Sequence, residues 1–311
     1  MKRIVVGTDG SDSGLVAIEW ALDEAGLRGA DLDVISTWDL PPLGYFDLTY
    51  DSKHLIGEVR AATNKVAEHQ LVEARRRHPE RGGVFARVEA VRGSAARRLV
   101  EASVGAEVLV VGSNGAGAWS RTMWGSVSTA CVAMAHSPVL VVPRSVRESA
   151  PARHDVVTVG IDLWHPDFDV VEAAADEAAV RDARLRIAVC WTVSSLAMIS
   201  PEGVTAMRTW EPDHARAVAD LARDQQQALP PSRVDIAVAE GDAGVHLAGW
   251  SATSDLVVIG NRHLPLWRRA YDHSTSGYVT HHAHGPILVV PSTAAHDRTD
   301  PDLVGAGTES A

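Results

Sequence analysis

A glycine-rich segment, VVGSNGAGAWSRTMWGS at positions 110–126, holds the residues whose types and spacing point to chemistry. Gly112, Gly115 and Gly125 follow the apolar run EVLVVG, and Ser126 comes directly after the last of them. Glycine lets the backbone reach positive φ and approach a ligand closely, and successive N–H groups in such a loop form a concavity that binds anions. We also expect a helix to begin at this last glycine and serine, and the first N–H groups of a helix attract phosphate. Two such cradles on one edge indicate a polyphosphate, and therefore a nucleotide.

Other interpretations of this segment are weaker or purely structural. The glycines could form only a turn and a helix entry. Gly112 to Gly117 has the Walker A spacing, but Ala118 replaces the required lysine. The chain has no GxSxG motif and no paired carboxylates beside the glycines, so neither a nucleophile elbow nor a carboxylate pair is predicted.

A second copy of the segment, VIGNRHLPLWRRAYDHS, occupies positions 258–274, where His263 and His273 replace Gly115 and Gly125. The duplication extends along the chain: IVVGTD at 4–9 matches VTVGID at 157–162, and PVLVVP matches PILVVP further on. We therefore predict two homologous domains, residues 1–147 and 154–293. Residues 144–155 form a polar linker, and the small, polar residues 294–311 are expected to be a disordered tail.

Alternating apolar runs and helical patterns predict how each repeat positions its motif. In the first repeat we predict strands at 3–8, 32–38, 84–91, 107–112 and 138–143, with helices near 12–28, 53–78, 95–104 and 126–136. This order predicts an α/β fold of two tandem repeats, each an open five-stranded parallel sheet with helices on both faces. Such a sheet binds its ligand outside the carboxyl ends of its strands.

The last strand of each repeat is apolar and is bounded by prolines. An exposed apolar edge strand is an aggregation hazard, so we expect the two final strands to pair. The result would be an intramolecular pseudo-dimer of the repeats, or the equivalent contact in a homodimer.

Composition restricts the function classes and the partners. The formal net charge of -11 argues against nucleic-acid and anionic-membrane binding. No apolar run approaches the ~20 residues that span a bilayer, and no signal-peptide core follows the first residues. Cys131 and Cys190 lie in apolar segments, which is typical of buried thiols in a reducing compartment. We expect a cytoplasmic protein.

The pattern Gly112-x2-Gly115-x9-Gly125-Ser126 after an apolar strand resembles the nucleotide-binding motif of the universal stress protein family. The opening VVGTDGS and the ending HSPVLVVP resemble the same family, and the resemblance covers both repeats. It implies a tandem universal stress protein with an adenine nucleotide alpha hydrolase-like fold, ATP at the carboxyl edge of the sheet, and pairing through the last strand.

Matched position by position, the resemblance implies a nucleotide site in the first repeat. Asp9 would lie near the ribose and phosphates, directly or through Mg²⁺, and Thr37 would meet adenine largely through its backbone. Asn114 departs from the basic residue often found there, and Arg121 could supply the missing positive charge. The full predicted set is Thr8, Asp9, Gly10, Thr37, Gly112, Ser113, Gly115, Gly125, Ser126, Val127 and Ser128.

The second repeat departs from this pattern. Asp162 is retained, but Leu163 and Trp164 replace a glycine and a serine, and His263 and His273 fill positions where phosphates need room. We expect this repeat not to bind ATP, and to serve as a packing partner or to hold another ligand. The nearby HHAH sequence at 281–284 supplies at most half a metal site, because neighbouring helical residues point apart.

The function implied is that of an ATP-binding regulatory sensor that acts in stress response through an unknown protein partner. Two alternatives remain open. One is a slow Mg-dependent ATPase that uses Asp9, and the other is a structural interaction protein whose sites are vestigial.

Overall fold

The structure is a computed structural model that describes residues 2–39, 52–113, 126–143, 153–192, 201–261 and 275–291. Repeat 1 contains, in chain order, β1 (Arg3–Thr8), α1 (Asp12–Arg28), β2 (Asp31–Trp38), α2 (Ser52–Arg77), β3 (Ala86–Arg92), α3 (Ala95–Ser103), β4 (Val108–Gly112), α4 (Ser126–Met134) and β5 (Val139–Val142). Repeat 2 contains β6 (Val156–Ile161), α5 (Phe168–Val180), β7 (Arg184–Trp191), α6 (Pro201–Gln225), β8 (Val234–Glu240), α7 (Ala243–Trp250), β9 (Leu256–Asn261), α8 (Thr275–His282) and β10 (Ile287–Pro291). The predicted strands and helices of repeat 1 are confirmed to within about two residues.

Ten strands form one continuous sheet in the order β3-β2-β1-β4-β5-β10-β9-β6-β7-β8. Neighbouring strands within each repeat are parallel, and β5 and β10 meet as the single antiparallel pair among the described strands. Leu140 lies opposite Leu288 at this seam. The predicted pairing of the two final strands is therefore confirmed within the chain, and each strand covers the apolar edge of the other.

Short apolar strands build the core because both faces of the sheet are covered by helices. One large cluster of buried side chains lies under α1, α2, α5 and α6 and runs through both repeats. A smaller cluster on the opposite face belongs to each repeat, and the half-buried Val132 of α4 packs against both of them. Trp38 and Trp191, which match between the repeats, are both buried. Within the described residues, no helix combines the length and apolar character needed to cross a bilayer.

Four charged residues join the repeats on the face that carries α1 and α5. Glu24 and Arg28 come from α1, and Glu177 and Arg181 come from the end of α5. Each arginine donates to both glutamates, so the four side chains form a closed ring, which we call the charge quartet. All four side chains are about nine-tenths buried or more.

The two cysteines are free, but their surroundings differ. Cys131 is fully buried, as expected, whereas Cys190 is only half-buried. Burial raises the pKa of the Cys131 thiol to about 12. Burial, with a smaller contribution from the Asp242 carboxylate, raises the pKa of the Cys190 thiol to about 11.

Candidate functional site

The carboxyl ends of β1 and β4 form the centre of the candidate site. These two strands are neighbours, and their register pairs Val6 with Val110, two residues before Thr8 and Gly112 end the strands. From β1 the chain continues to β2 on one side of the sheet and later returns to β4 on the other side. This change of direction is the switch point at which open α/β sheets bind ligands.

The loop after β1 is held by the α2 helix. The Thr8 hydroxyl donates to the side-chain oxygen of Gln70, and Gln70 Nε2 donates to the backbone oxygen of Ser11 at 2.8 Å. The Ser11 hydroxyl in turn accepts from Gly14 N at 3.2 Å and caps α1. The loop is therefore fixed at both ends by hydrogen bonds, and Gln70 is a contributor that lies far from the glycine motif in sequence.

Gly10 occupies a backbone conformation that favours glycine. Its φ is +83°, and an added Cβ would lie 2.8 Å from Val66 Cγ1. The residue is exposed at the edge of the sheet. A larger side chain at this position would therefore meet both backbone strain and α2.

Asp9 organises the same turn. One carboxylate oxygen, Oδ1, accepts from Ser11 N at 3.0 Å. In the second repeat, Asp162 Oδ1 likewise accepts from Trp164 N and His165 N, both at 2.8 Å. The aspartate therefore has a structural role in both repeats, which explains why it is retained where the glycines are lost.

Gly112 allows α1 to approach the sheet closely. An added Cβ would lie 2.4 Å from Ser13 Oγ and 2.9 Å from the Ser13 backbone oxygen. Ser13 Oγ is buried and has no hydrogen-bond partner among the described residues. Glycine is thus required at this position by packing, in addition to any role toward a ligand.

The other predicted site residues lie around the same edge, except Gly115 and Gly125, which are outside the described residues. Ser113 and Ser128 are buried, and Ser126 is exposed as the first residue of α4. Val127 packs against the smaller core cluster of repeat 1, so only its backbone can face a ligand. Thr37 is half-buried and lies near the end of β2, the neighbour of β1.

Several predictions concern residues that the structure does not describe. They are Gly115, Gly125, Asn114, Arg121, His263, His273 and the tail 294–311.

The equivalent edge of the second repeat is occupied by side chains. Leu163, which replaces Gly10, is only 6% exposed and joins the main core. Trp164 follows it and stacks on Trp210 of α6, with ring centroids 5.9 Å apart. Asn261, at the position that matches Ser113, donates from Nδ2 to the Val132 backbone oxygen of repeat 1 at 2.6 Å. These side chains stand at positions where repeat 1 has the smaller residues Gly10, Ser11 and Ser113.

Two histidines of the second repeat, His246 and His284, have structural partners. His246 Nε2 lies 3.0 Å from the Glu240 backbone oxygen, and its ring packs on Trp250. The backbone N–H of His284 donates to Ser251 Oγ at 2.8 Å. The described contacts of these two residues therefore stabilise the ends of α7 and α8.

Comparisons with known proteins agree with this architecture. The family model described as "Universal stress protein family" matches residues 1–143 and 154–291. A universal stress protein of Mycobacterium tuberculosis is 33% identical over 186 residues, and the match covers 59% of this chain and 63% of that protein, somewhat less than two thirds of its length. A universal stress protein of Mycolicibacterium smegmatis is 28% identical over 298 residues, which are 92% of this chain and 96% of that protein.

Among solved structures, a universal stress protein from Archaeoglobus fulgidus is 19% identical and superposes with a TM-score of 0.61, covering 93% of this chain and 98% of that one. At this level of identity the likeness concerns the fold. The family model matches the chain twice, and the two matched ranges correspond to the two five-stranded halves of the sheet. The chain belongs to the universal stress protein family.

Proposed function

We propose that repeat 1 binds ATP at the carboxyl edge of β1 and β4 and that the protein acts as a nucleotide-dependent regulator. The observation that carries this proposal is the contrast between Gly10 and Leu163. Gly10 is exposed and has no side chain, whereas Leu163 is buried in the core. Repeat 2 thus carries a large side chain at a position where repeat 1 has only backbone, which supports nucleotide binding by repeat 1 rather than repeat 2.

The phosphates would lie between Gly112 and the start of α4. Ser126 begins this helix, and a helix N-terminus attracts anions because its first N–H groups have no partner within the helix. The Asp9 carboxylate would hold Mg²⁺, because carboxylate oxygens are the ligands that Mg²⁺ prefers in proteins. The loop 114–125 would complete the cradle.

The adenosine would extend from β1 toward β2. The strands β2 and β4 lie on either side of β1, so Ser36 and Gly112, near the ends of these two strands, are about two strand spacings apart, on the order of 10 Å. This span suits a nucleoside linked to its phosphates. Thr37, one residue further, would meet adenine through its backbone.

A regulatory role has a physical route through α1. This helix begins at the candidate site and also carries Glu24 and Arg28 of the charge quartet. A nucleotide that favours one position of the α1 N-terminus would therefore also favour one arrangement of the two repeats. A ligand shifts only those equilibria whose states it binds unequally, so this route requires ATP to prefer one position of α1 over another.

The test uses the full-length chain. Released adenine nucleotide is quantified after denaturation, and Mg-ATP binding is measured by calorimetry. We expect about one ATP per chain, and we expect Gly10→Leu to abolish binding because leucine closes the edge. Gly83→Leu is the matched control, since a Cβ added at Gly83 meets nothing within 4 Å.

A second variant distinguishes the role of the Asp9 charge in Mg²⁺ binding from its role in stabilising the turn. Asp9→Asn keeps the acceptor for Ser11 N, so the turn should survive while Mg²⁺ dependence of ATP binding is lost. Two nucleotides per chain would contradict the assignment to repeat 1 alone. No bound nucleotide and no heat on adding Mg-ATP would refute the proposal. ATP turnover that disappears in Asp9→Ala while binding survives would instead favour the slow ATPase.

A further inference from the structure

An aromatic cluster lies at the carboxyl edge of repeat 2, formed by Trp164, Trp210 and His214. Trp164 follows β6, and the other two residues are one turn apart on α6. The ring centroids are 5.9, 5.5 and 4.8 Å apart, and the Trp210 and His214 rings are nearly parallel. Trp164 and Trp210 remain 59% and 49% exposed. Large aromatic surfaces left open in this way are typical of binding sites.

A buried carboxylate, Glu211, directly follows Trp210 on the same helix. Glu211 is 3% exposed, and its Oε2 has no hydrogen-bond partner among the described residues. The cation one turn earlier on the helix, Arg208, pairs instead with Glu240 Oε1 at 3.5 Å. Burying a carboxylate without a hydrogen-bond donor costs free energy. A cation or an N–H group that binds to it would offset this cost.

Helix geometry places Glu211 on the strip of α6 next to the one that carries Trp210 and His214. The residue follows Trp210 and precedes His214 by three positions, so it lies on the neighbouring strip of the α6 surface. Ala215, four positions later, is fully buried, which places Glu211 on the boundary between the core and the aromatic cluster. Helical side chains lean toward the helix N-terminus, and for α6 this is the end near the carboxyl edge of β7.

We propose that repeat 2 carries a site for a small organic ammonium ion, formed by the faces of Trp164 and Trp210 and the carboxylate of Glu211. Tryptophan is the strongest cation–π partner among the side chains, and the carboxylate supplies the opposite charge. The same carboxylate repels phosphate, so the site selects against the ligand proposed for repeat 1. The net charge of -11 also favours the approach of cations. This inference does not depend on nucleotide binding by repeat 1.

The test measures binding of two ammonium probes to the full chain by calorimetry. The probes are choline and n-butylammonium, and their neutral isosteres are 3,3-dimethylbutan-1-ol and butan-1-ol. We expect at least one ammonium ion to bind and its neutral isostere not to bind, because the isostere keeps the shape and loses the charge.

Two variants and one control locate the site. Glu211→Gln keeps the volume of the side chain and should weaken ammonium binding by about tenfold or more. Trp164→Leu should weaken it as well, because the cation loses an aromatic face. Asp213→Asn removes an exposed carboxylate two residues away and should leave binding unchanged. ATP binding should be the same in all four proteins.

Three results would overturn the proposal. The first is the absence of binding by both ammonium probes, which would mean that the aromatic cluster only closes the edge of repeat 2. The second is equal binding of a probe and its neutral isostere. The third is binding that survives Glu211→Gln in a protein whose circular dichroism matches the wild type.

Discussion

The charge quartet leads to a sharp prediction about stability. Glu24 accepts from Arg28 and Arg181, and Glu177 accepts from the same two arginines. In Glu24→Gln, two buried guanidinium groups would share a single carboxylate. The substituted side chain keeps nearly the same volume, so the change isolates charge from packing.

The expected cost follows from the burial of the remaining charges. Burial alone would lower the pKa of Arg28, but the carboxylates of Glu24 and Glu177 outweigh it and raise the pKa above its ordinary value. The arginine therefore stays charged and cannot relieve the imbalance by losing a proton. Removing one partner from a buried ion pair costs about 3–5 kcal/mol, and we expect a loss of this size in the free energy of unfolding.

Urea unfolding followed by circular dichroism measures the loss, because the helices of both repeats contribute to the signal. The unfolding midpoint should shift to lower urea, since the quartet joins the repeats. Glu73→Gln is the matched control: Glu73 also pairs with two arginines, Arg76 and Arg77, but at the surface. Its unfolding midpoint should change far less.

A second arm distinguishes charge imbalance from general damage. Replacing all four quartet residues with Met or Leu removes the four buried charges of this site together, so most of the lost stability should return. The reasoning is refuted if Glu24→Gln costs no more than the Glu73 control. It is also refuted if the apolar replacement is as unstable as the single variant.

Three further predictions test packing and thiol chemistry. Gly112→Ala places a Cβ 2.4 Å from Ser13 Oγ and should lower thermal stability by about 1–3 kcal/mol, whereas Gly260→Ala, whose nearest neighbour would be a valine methyl at 3.0 Å, should cost less. Leu140→Lys buries an unpaired charge at the antiparallel seam, and chemical denaturation should report a loss of about 3–5 kcal/mol. Because the native Cys131 thiol has a pKa raised to about 12, it should not react with a disulfide reagent at about pH 8, and it should react fully in denaturant.

The fold was predictable because local signals agree with one another. Runs such as VLVV between prolines mark short strands buried on both faces, and the same prolines mark the end of pairing. The sequence also repeats these signals at a nearly constant offset. A strand or helix predicted in one repeat can therefore be checked against the matching segment of the other. The pairing of Leu140 with Leu288 follows from this symmetry.

The contacts that build the candidate site were less predictable, because they join residues distant in sequence. Gln70 reaches Thr8 and Ser11 from the next helix, and no local pattern marks it. Glu24 and Arg28 match Glu177 and Arg181 in the alignment of the repeats. That match could not reveal that the four side chains meet, since it describes each repeat separately.

The two repeats together show which shared residues carry information about ligands. Asp9 and Asp162 both accept backbone N–H groups of the following turn, so their retention has a structural cause. Gly112 is likewise required by the approach of α1 to the sheet. When the fold itself requires a residue in both repeats, the presence of that residue says little about whether either repeat binds a ligand. Gly10 differs, because its counterpart is buried in the core, and this difference makes Gly10→Leu the most informative substitution for function.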